Sequence, residues 1–124
     1  MAKVLTQADA KQMGLPGRRS MEIVSAEKGA ESSVLRLVEI AVPQPDDPPR
    51  GPHAYEGFEE VLFVLEGQGC AECQTGSFPL FTGDTLLVPS GERHFTRNTG
   101  DRPLRILCFF PVADVRPGYR PHEA

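Results

Sequence analysis

The sequence predicts an all-β fold, one small domain of short antiparallel strands, and three observations carry that expectation. Twelve Gly and twelve Pro stand among 124 residues, and both residue types are costly inside helices and at home in turns. Apolar residues come in short runs of strand type, such as Leu86-Leu87-Val88, which stops at Pro89, a residue that cannot donate to a sheet ladder. Other stretches alternate: across residues 33–42, Val34, Arg36, Val38 and Ile40 fall on one face, and Leu35, Leu37 and Glu39 on the other.

Size and charge narrow the class. At 13.6 kDa the chain is one domain, large enough to bury roughly two-thirds of its unfolded surface. A net charge of −4 and a pI near 5.3 offer no basic surface to a phosphate backbone, so a nucleic-acid partner is not expected. No apolar run approaches eighteen residues and the first residues turn polar at once. The expectation is a cytoplasmic protein without membrane contact. Three cysteines, Cys70, Cys73 and Cys108, are an odd count that suits reduced thiols better than a disulfide framework.

Taken in order, residues 1–18 read as an N-terminal arm, with Thr6 capping a short helix over 8–12 that Gly14 and Pro16 end. Strands follow over 19–25 and 33–42, joined by a turn at Glu27-Lys28-Gly29. Residues 43–52 hold five prolines in ten, so they form a stiff loop that is either the wall of a site mouth or a plain surface connection. His53 to Glu60 lead into the apolar strand 61–65, which Glu66-Gly67-Gln68-Gly69 closes. A hairpin strand over 70–74, a turn at Thr75-Gly76 and the run 78–81 lead to Gly83. The last strand is 104–110, ended by Pro111. The domain proper is set at 19–115, with 116–124 as a polar C-terminal tail.

The stretch from Gly83 to Asn98 is the most informative. After the 86–88 strand, Pro89-Ser90-Gly91 supplies turn chemistry. His94, Thr96 and Asn98 then share one face of a second strand, while Arg93, Phe95 and Arg97 take the other. The spacing Gly83, five residues, Pro89, one, Gly91, two, His94, three, Asn98 resembles the second signature motif of the cupin superfamily at every fixed position. That resemblance implies a jelly-roll β-barrel over about residues 22–111, with His94 as a metal ligand. Glu60, followed after six residues by Gly67, is similar to the first motif of the same superfamily, where this Glu is a ligand. The motif's paired histidines fall at His53 and Tyr55, so the second histidine is absent. Gly51 lies only two residues before His53, and the first motif is degenerate where the second is intact.

By this resemblance His53, Glu60 and His94 would hold one divalent transition metal. Two neutral imidazoles and a carboxylate favour Fe(II), with Mn, Ni, Cu or Zn as alternatives. Tyr55 stands as a fourth ligand, as a proton donor, or as a packing residue with its hydroxyl bonded. Tyr55 and Glu60 are the candidate catalytic side chains. Glu56, one residue off the face, is either solvated or a substitute ligand. Cys70 and Cys73, three apart on a strand, point to opposite faces and read as inert, and Cys108 reads as core. Arg36 and Arg105 lie in apolar strands, either clamping a substrate carboxylate or turning to the rim and a partner such as Glu39.

The function expected is a metal-dependent enzyme acting on a small organic molecule, with dioxygenase-type chemistry first and metal-assisted lyase or isomerase chemistry second. The alternative is a non-catalytic barrel that binds or senses a small ligand. A homodimer is expected from the resemblance, with Phe95, Phe109 or the N-terminal arm as contacts.

Overall fold

The computed structural model of the chain describes residues 1–15 and 17–122. Pro16, expected to close the helix of the arm, and the last two residues of the tail lie outside them. The strands are β1 (Lys11–Met13), β2 (Arg19–Val24), β3 (Val34–Ile40), β4 (His53–Tyr55), β5 (Glu60–Glu66), β6 (Gln68–Cys73), β7 (Gly76–Phe81), β8 (Thr85–Val88), β9 (His94–Asn98), β10 (Leu104–Phe110) and β11 (Tyr119–Pro121). They form a six-stranded sheet, β1-β2-β3-β10-β5-β8, and a five-stranded sheet, β11-β4-β9-β6-β7, each antiparallel in its pairings. The all-β jelly roll expected from the sequence is present as a sandwich, the two sheets staying separate rather than closing into one barrel.

Alternation decides what lies between the sheets. The alternation read on β3 is present, and the structure turns the face carrying Val34, Arg36, Val38 and Ile40 inward, while on β10 Leu104, Ile106, Cys108 and Phe110 face the same interior. Burial of the Val, Leu, Ile and Phe side chains among them, each worth about 1.5–3 kcal/mol when complete, supplies the driving force. The opposite face of the six-stranded sheet is also apolar. Phe63, Leu87 and Phe109 remain exposed there, brought into neighbouring rows by the Leu107↔Phe63, Phe109↔Val61 and Val61↔Leu87 registers.

Two terminal segments differ from expectation. The arm forms only a 3-10 turn at Gln7–Asp9, and Thr6 hydrogen-bonds the Asp9 carboxylate (2.9 Å) without capping a helix. Lys11–Met13 instead adds β1 to the edge of β2. Isolated helices shorter than about 12 residues are marginal in water, whereas an open sheet edge offers ready backbone partners. At the other end, part of the segment read as a polar tail makes a 3-10 turn, Arg116–Gly118, and then β11, which pairs with β4. Leu104–Phe110 is therefore not the last strand.

The step from β4 to β5 positions the site, because it carries the chain from one sheet to the other. Gly57, at φ +95°, makes that turn in the left-handed region that favours glycine. The Gly57 N–H donates to Ser90 Oγ (2.9 Å), and Gly91 N–H donates to the Tyr55 carbonyl (2.7 Å). The turn before β5 and the turn before β9 are thereby fastened together.

Candidate metal centre

His53 on β4 and His94 on β9 are direct cross-strand partners, with ring centroids 4.6 Å apart. Glu60 opens β5 in the facing sheet and points into the interior, 4 % exposed, beside His94 at 2 %. The structure brings one ligand atom from each of His53, Glu60 and His94 within 4.8 Å of the others. Glu56, the substitute ligand considered from sequence, is exposed, with its carboxylate over Gly91. Among the described residues it is not part of that cluster.

The hydrogen bonds of His94 test whether a cation fits. Its Nδ1 lies 2.9 Å from the Glu92 carbonyl and its Nε2 lies 2.9 Å from Glu60 Oε1, so both ring nitrogens face acceptors. Neutral imidazole has a single N–H. The carbonyl can only accept, which sets the proton on Nδ1 and turns the Nε2 lone pair toward a carboxylate. Either a second proton or a cation must sit at that junction. Burial disfavours charge on His94, but the hydrogen bond and charge of Glu60, with Glu92, outweigh it and leave the pKa raised. His53 goes the other way: burial, then His94, Arg18, Arg50 and Arg36, pull its pKa down to about 3. It stays neutral, the form a metal requires. A carboxylate, a neutral imidazole and an imidazole whose far nitrogen is anchored on a carbonyl fit a divalent transition metal.

A narrow cleft, open to solvent, adjoins the three donors. Tyr55 lines it at 5 % exposure, packed edge-on against Phe110 with centroids 4.7 Å apart. Burial, and next the Glu60 charge, raise the phenol pKa and hold it protonated. Arg36 lines the cleft too, but through an ion pair with Glu22 (Nε–Oε2 2.9 Å) rather than Glu39, which stands 3.8 Å from Arg19. Arg105 is elsewhere, 3.6 Å from Glu66.

Sequence reasoning missed Arg18, Ser20, Arg50 and Cys108, all of which line the cleft. Arg50 comes from the proline-rich loop, so that loop does wall the mouth of the site, and its Nη1 donates to the Thr96 carbonyl (2.8 Å). Its place three residues before His53 was the available signal. Its Nε is buried with no hydrogen-bond partner, and so is Ser20 Oγ. Such orphans cost about 1–3 kcal/mol each. Burial, then Arg18, pull the Arg50 pKa down to about 10. Cys108 is not merely core: it lies against Glu60, and burial followed by that carboxylate raises its thiol pKa.

Fold and site together define a β-sandwich with a histidine and carboxylate centre opening into an internal cleft. Residues 37–110 match the family model Cupin_2, the cupin domain, and the chain belongs to that family. Among relatives it is similar to an oxalate-binding protein of Thermotoga maritima, 35% identical over 58 residues that make 47% of this chain and 48% of that one. It also matches a germin-like protein, subfamily 2 member 1, of Arabidopsis thaliana, at 30% identity over 122 residues, 88% of this chain and 56% of that one. The matches span about half the length of such relatives. Among solved structures, the polyketide cyclase RemF of Streptomyces resistomycificus superposes with a TM-score of 0.75 at 24% identity, covering 100% of this chain and 87% of that one. At that identity the likeness is one of fold.

Proposed function

We propose that this cupin is a metal-dependent enzyme acting on a small organic molecule, with His53, Glu60 and His94 as the metal ligands. The observation that carries the reading is the junction at His94, where Nε2 and Glu60 Oε1 meet at 2.9 Å while Nδ1 is committed to the Glu92 carbonyl. A divalent metal held by these residues, Fe(II) in the first instance, would supply Lewis-acid and oxygen-activating chemistry. Oxygenase chemistry leads because two imidazoles and one carboxylate are the donor set that would suit Fe(II) for it. The rest of the work falls to the chain. Tyr55, kept protonated, is the proton donor at the cleft wall. Phe110, Leu62 and Ile106 make the apolar wall that limits water. Arg36, held by Glu22 and lying 5.4 Å from the Phe110 ring centroid, keeps a fixed positive charge beside the donors.

A non-redox lyase or cyclase reaction at the same centre is the second reading. It is favoured by the protonated Tyr55 and by fold neighbours described as a polyketide cyclase and a nucleoside dehydratase. Elemental analysis of protein purified without chelator tests the centre. About one equivalent of transition metal per chain is expected, lost in His94→Ala and His53→Ala. Equal metal content in the variants would overturn the ligand assignment, and turnover that persists without oxygen would exclude the oxygenase reading.

A homodimer belongs to the same proposal. Its support is the exposed row of Phe63, Leu87 and Phe109 on one face; Phe95 sits on the other sheet, and in the arm Gln7 reaches Met21 of its own chain. Sedimentation should show Phe63→Glu shifting the protein toward monomer, and an unchanged profile would remove this face from consideration.

A further inference from the structure

The cleft beside the candidate donors is small. Its volume is about 40 Å³, room for a few water-sized groups that each need at least about 10–15 Å³. It accommodates a reacting group, and the body of any larger substrate must lie elsewhere. A second cleft, of about 180 Å³, lies alongside, and Leu15, Arg36 and Tyr55 line both.

The second cleft is built where the terminal strands come together. β1 and β11 are edge strands of different sheets. From them Met13 and Tyr119, half-buried, make its lips, while Tyr55 and Val115, 5 % and 4 % exposed, make its floor. Both floor residues belong to the main core, so close packing holds the floor in shape. Tyr119 leans toward Tyr55 with ring centroids 5.6 Å apart at 42°. Met13 adds a flexible, polarisable thioether of the kind that adapts to a ring edge.

Charge decides what this cleft favours. Two arginines line it and both have partners. Arg36 Nε donates to Glu22 (2.9 Å), and Arg116 holds Asp114 through Nε (2.9 Å) and Nη2 (2.8 Å). An anionic ligand would compete with those carboxylates. An uncharged ring gains by leaving water and disturbs neither pair, and an apolar cavity of roughly 150 Å³ is enough to take up benzene.

We infer that the second cleft is a substrate subsite for an uncharged aromatic or alicyclic ring, carried a short link away from the group that reaches the donors past Tyr55. That the other end of the molecule is the reacting end rests on the metal reading above. The capacity of the subsite to bind a ring does not.

Benzyl alcohol, ethanol and phenylacetate are the probes, titrated into chelator-treated protein with methyl-labelled methionine. The Met13 methyl resonance should shift saturably with benzyl alcohol, through the ring current, and stay in place with ethanol. Met21, 1 % exposed and outside the cleft, is the internal control. Phenylacetate should bind no more tightly than benzyl alcohol. By calorimetry, Met13→Trp, which fills the cleft, should weaken benzyl alcohol at least about tenfold, or about 1.4 kcal/mol, and Tyr119→Ala should weaken it several-fold. Metal-loaded protein should prefer phenylacetohydroxamate to acetohydroxamate by a similar factor, a preference that Met13→Trp erases. No saturable Met13 shift, a preference for phenylacetate, or unchanged benzyl alcohol affinity in a folded Met13→Trp overturns the inference. If Met13→Trp does not fold, Tyr119→Ala decides, and unaltered affinity there overturns it. Hydroxamates that bind the metal alike, with or without the ring, sink this inference and leave the metal reading standing. Ring binding that Met13→Trp removes, in a protein that takes up no metal, does the reverse.

Discussion

Asn98 shows how a motif residue without chemistry of its own holds the chemistry in place. Its amide donates to the Ile40 carbonyl (2.9 Å) and the Arg102 carbonyl (2.8 Å), and its Oδ1 accepts from Gly100 N–H (2.8 Å). The end of β9, the strand that presents His94, is thus tied across to β3 in the other sheet. Asn98→Ala leaves these buried groups without partners at about 1–3 kcal/mol each, so a loss of roughly 2–4 kcal/mol is expected in urea unfolding, allowing for relaxation. Cys73 carries a second prediction at this scale. Burial, then the charges of Glu92, Cys70 and Glu72, push its thiol up to about 11. A raised pKa means less thiolate at any lower pH, about one part in a thousand at pH 8. Iodoacetamide should therefore modify Cys73 slowly at pH 8, with a rate that climbs roughly tenfold per pH unit toward 11. A plateau near pH 9 would place the thiol in an ordinary environment.

Among elements, β11 shows what terminal residues add. It is an edge strand whose only ladder among the described residues is with β4, yet Tyr119 packs 5.9 Å from the His53 ring and the Gly118 carbonyl accepts the Glu56 N–H (2.8 Å). A chain ending at Val115 should stay folded, since the main core lies elsewhere, but hold metal at least about tenfold more weakly because His53 loses its support. Competition with a chelator measures this, and undiminished affinity would show β11 to be dispensable. The same strand marks where reading from sequence stops. The turn and strand around His94 were legible because Pro89, Gly91 and alternation act over a few residues, and the division of β3 into two faces was legible for the same reason, though not which of them turns inward. β11, β1 and the approach of Arg18 and Arg50 to the cleft were not, because each depends on pairing or loop placement between distant segments. Cys108 was read correctly as facing inward, but a strand pattern does not distinguish an interior filled by side chains from one that holds a cleft.

The whole molecule places its three candidate metal donors on opposite layers. His53 and His94 belong to the five-stranded sheet and Glu60 to the six-stranded one, and among the described residues the sheets share no ladder. A cation bound by all three would cross-link the sandwich through its middle. The unfolded chain does not hold these groups together, so binding free energy adds to folding free energy. At a free metal concentration a thousand times the dissociation constant, the gain is about 4 kcal/mol. For a domain of this size that corresponds to a melting temperature on the order of 10 °C higher. Chelation should lower the wild-type midpoint by that amount, and readdition of Fe(II) under anaerobic conditions should restore it. His94→Ala should melt at one temperature with or without metal, because it has lost the donor that links β9 to the facing sheet. Glu60→Gln is the sharper control: its amide is nearly isosteric but a poor ligand, so it should abolish the metal-dependent rise even where His53 and His94 remain. A wild-type midpoint indifferent to chelator and to added metal would mean that the His94–Glu60 junction is closed by a proton alone.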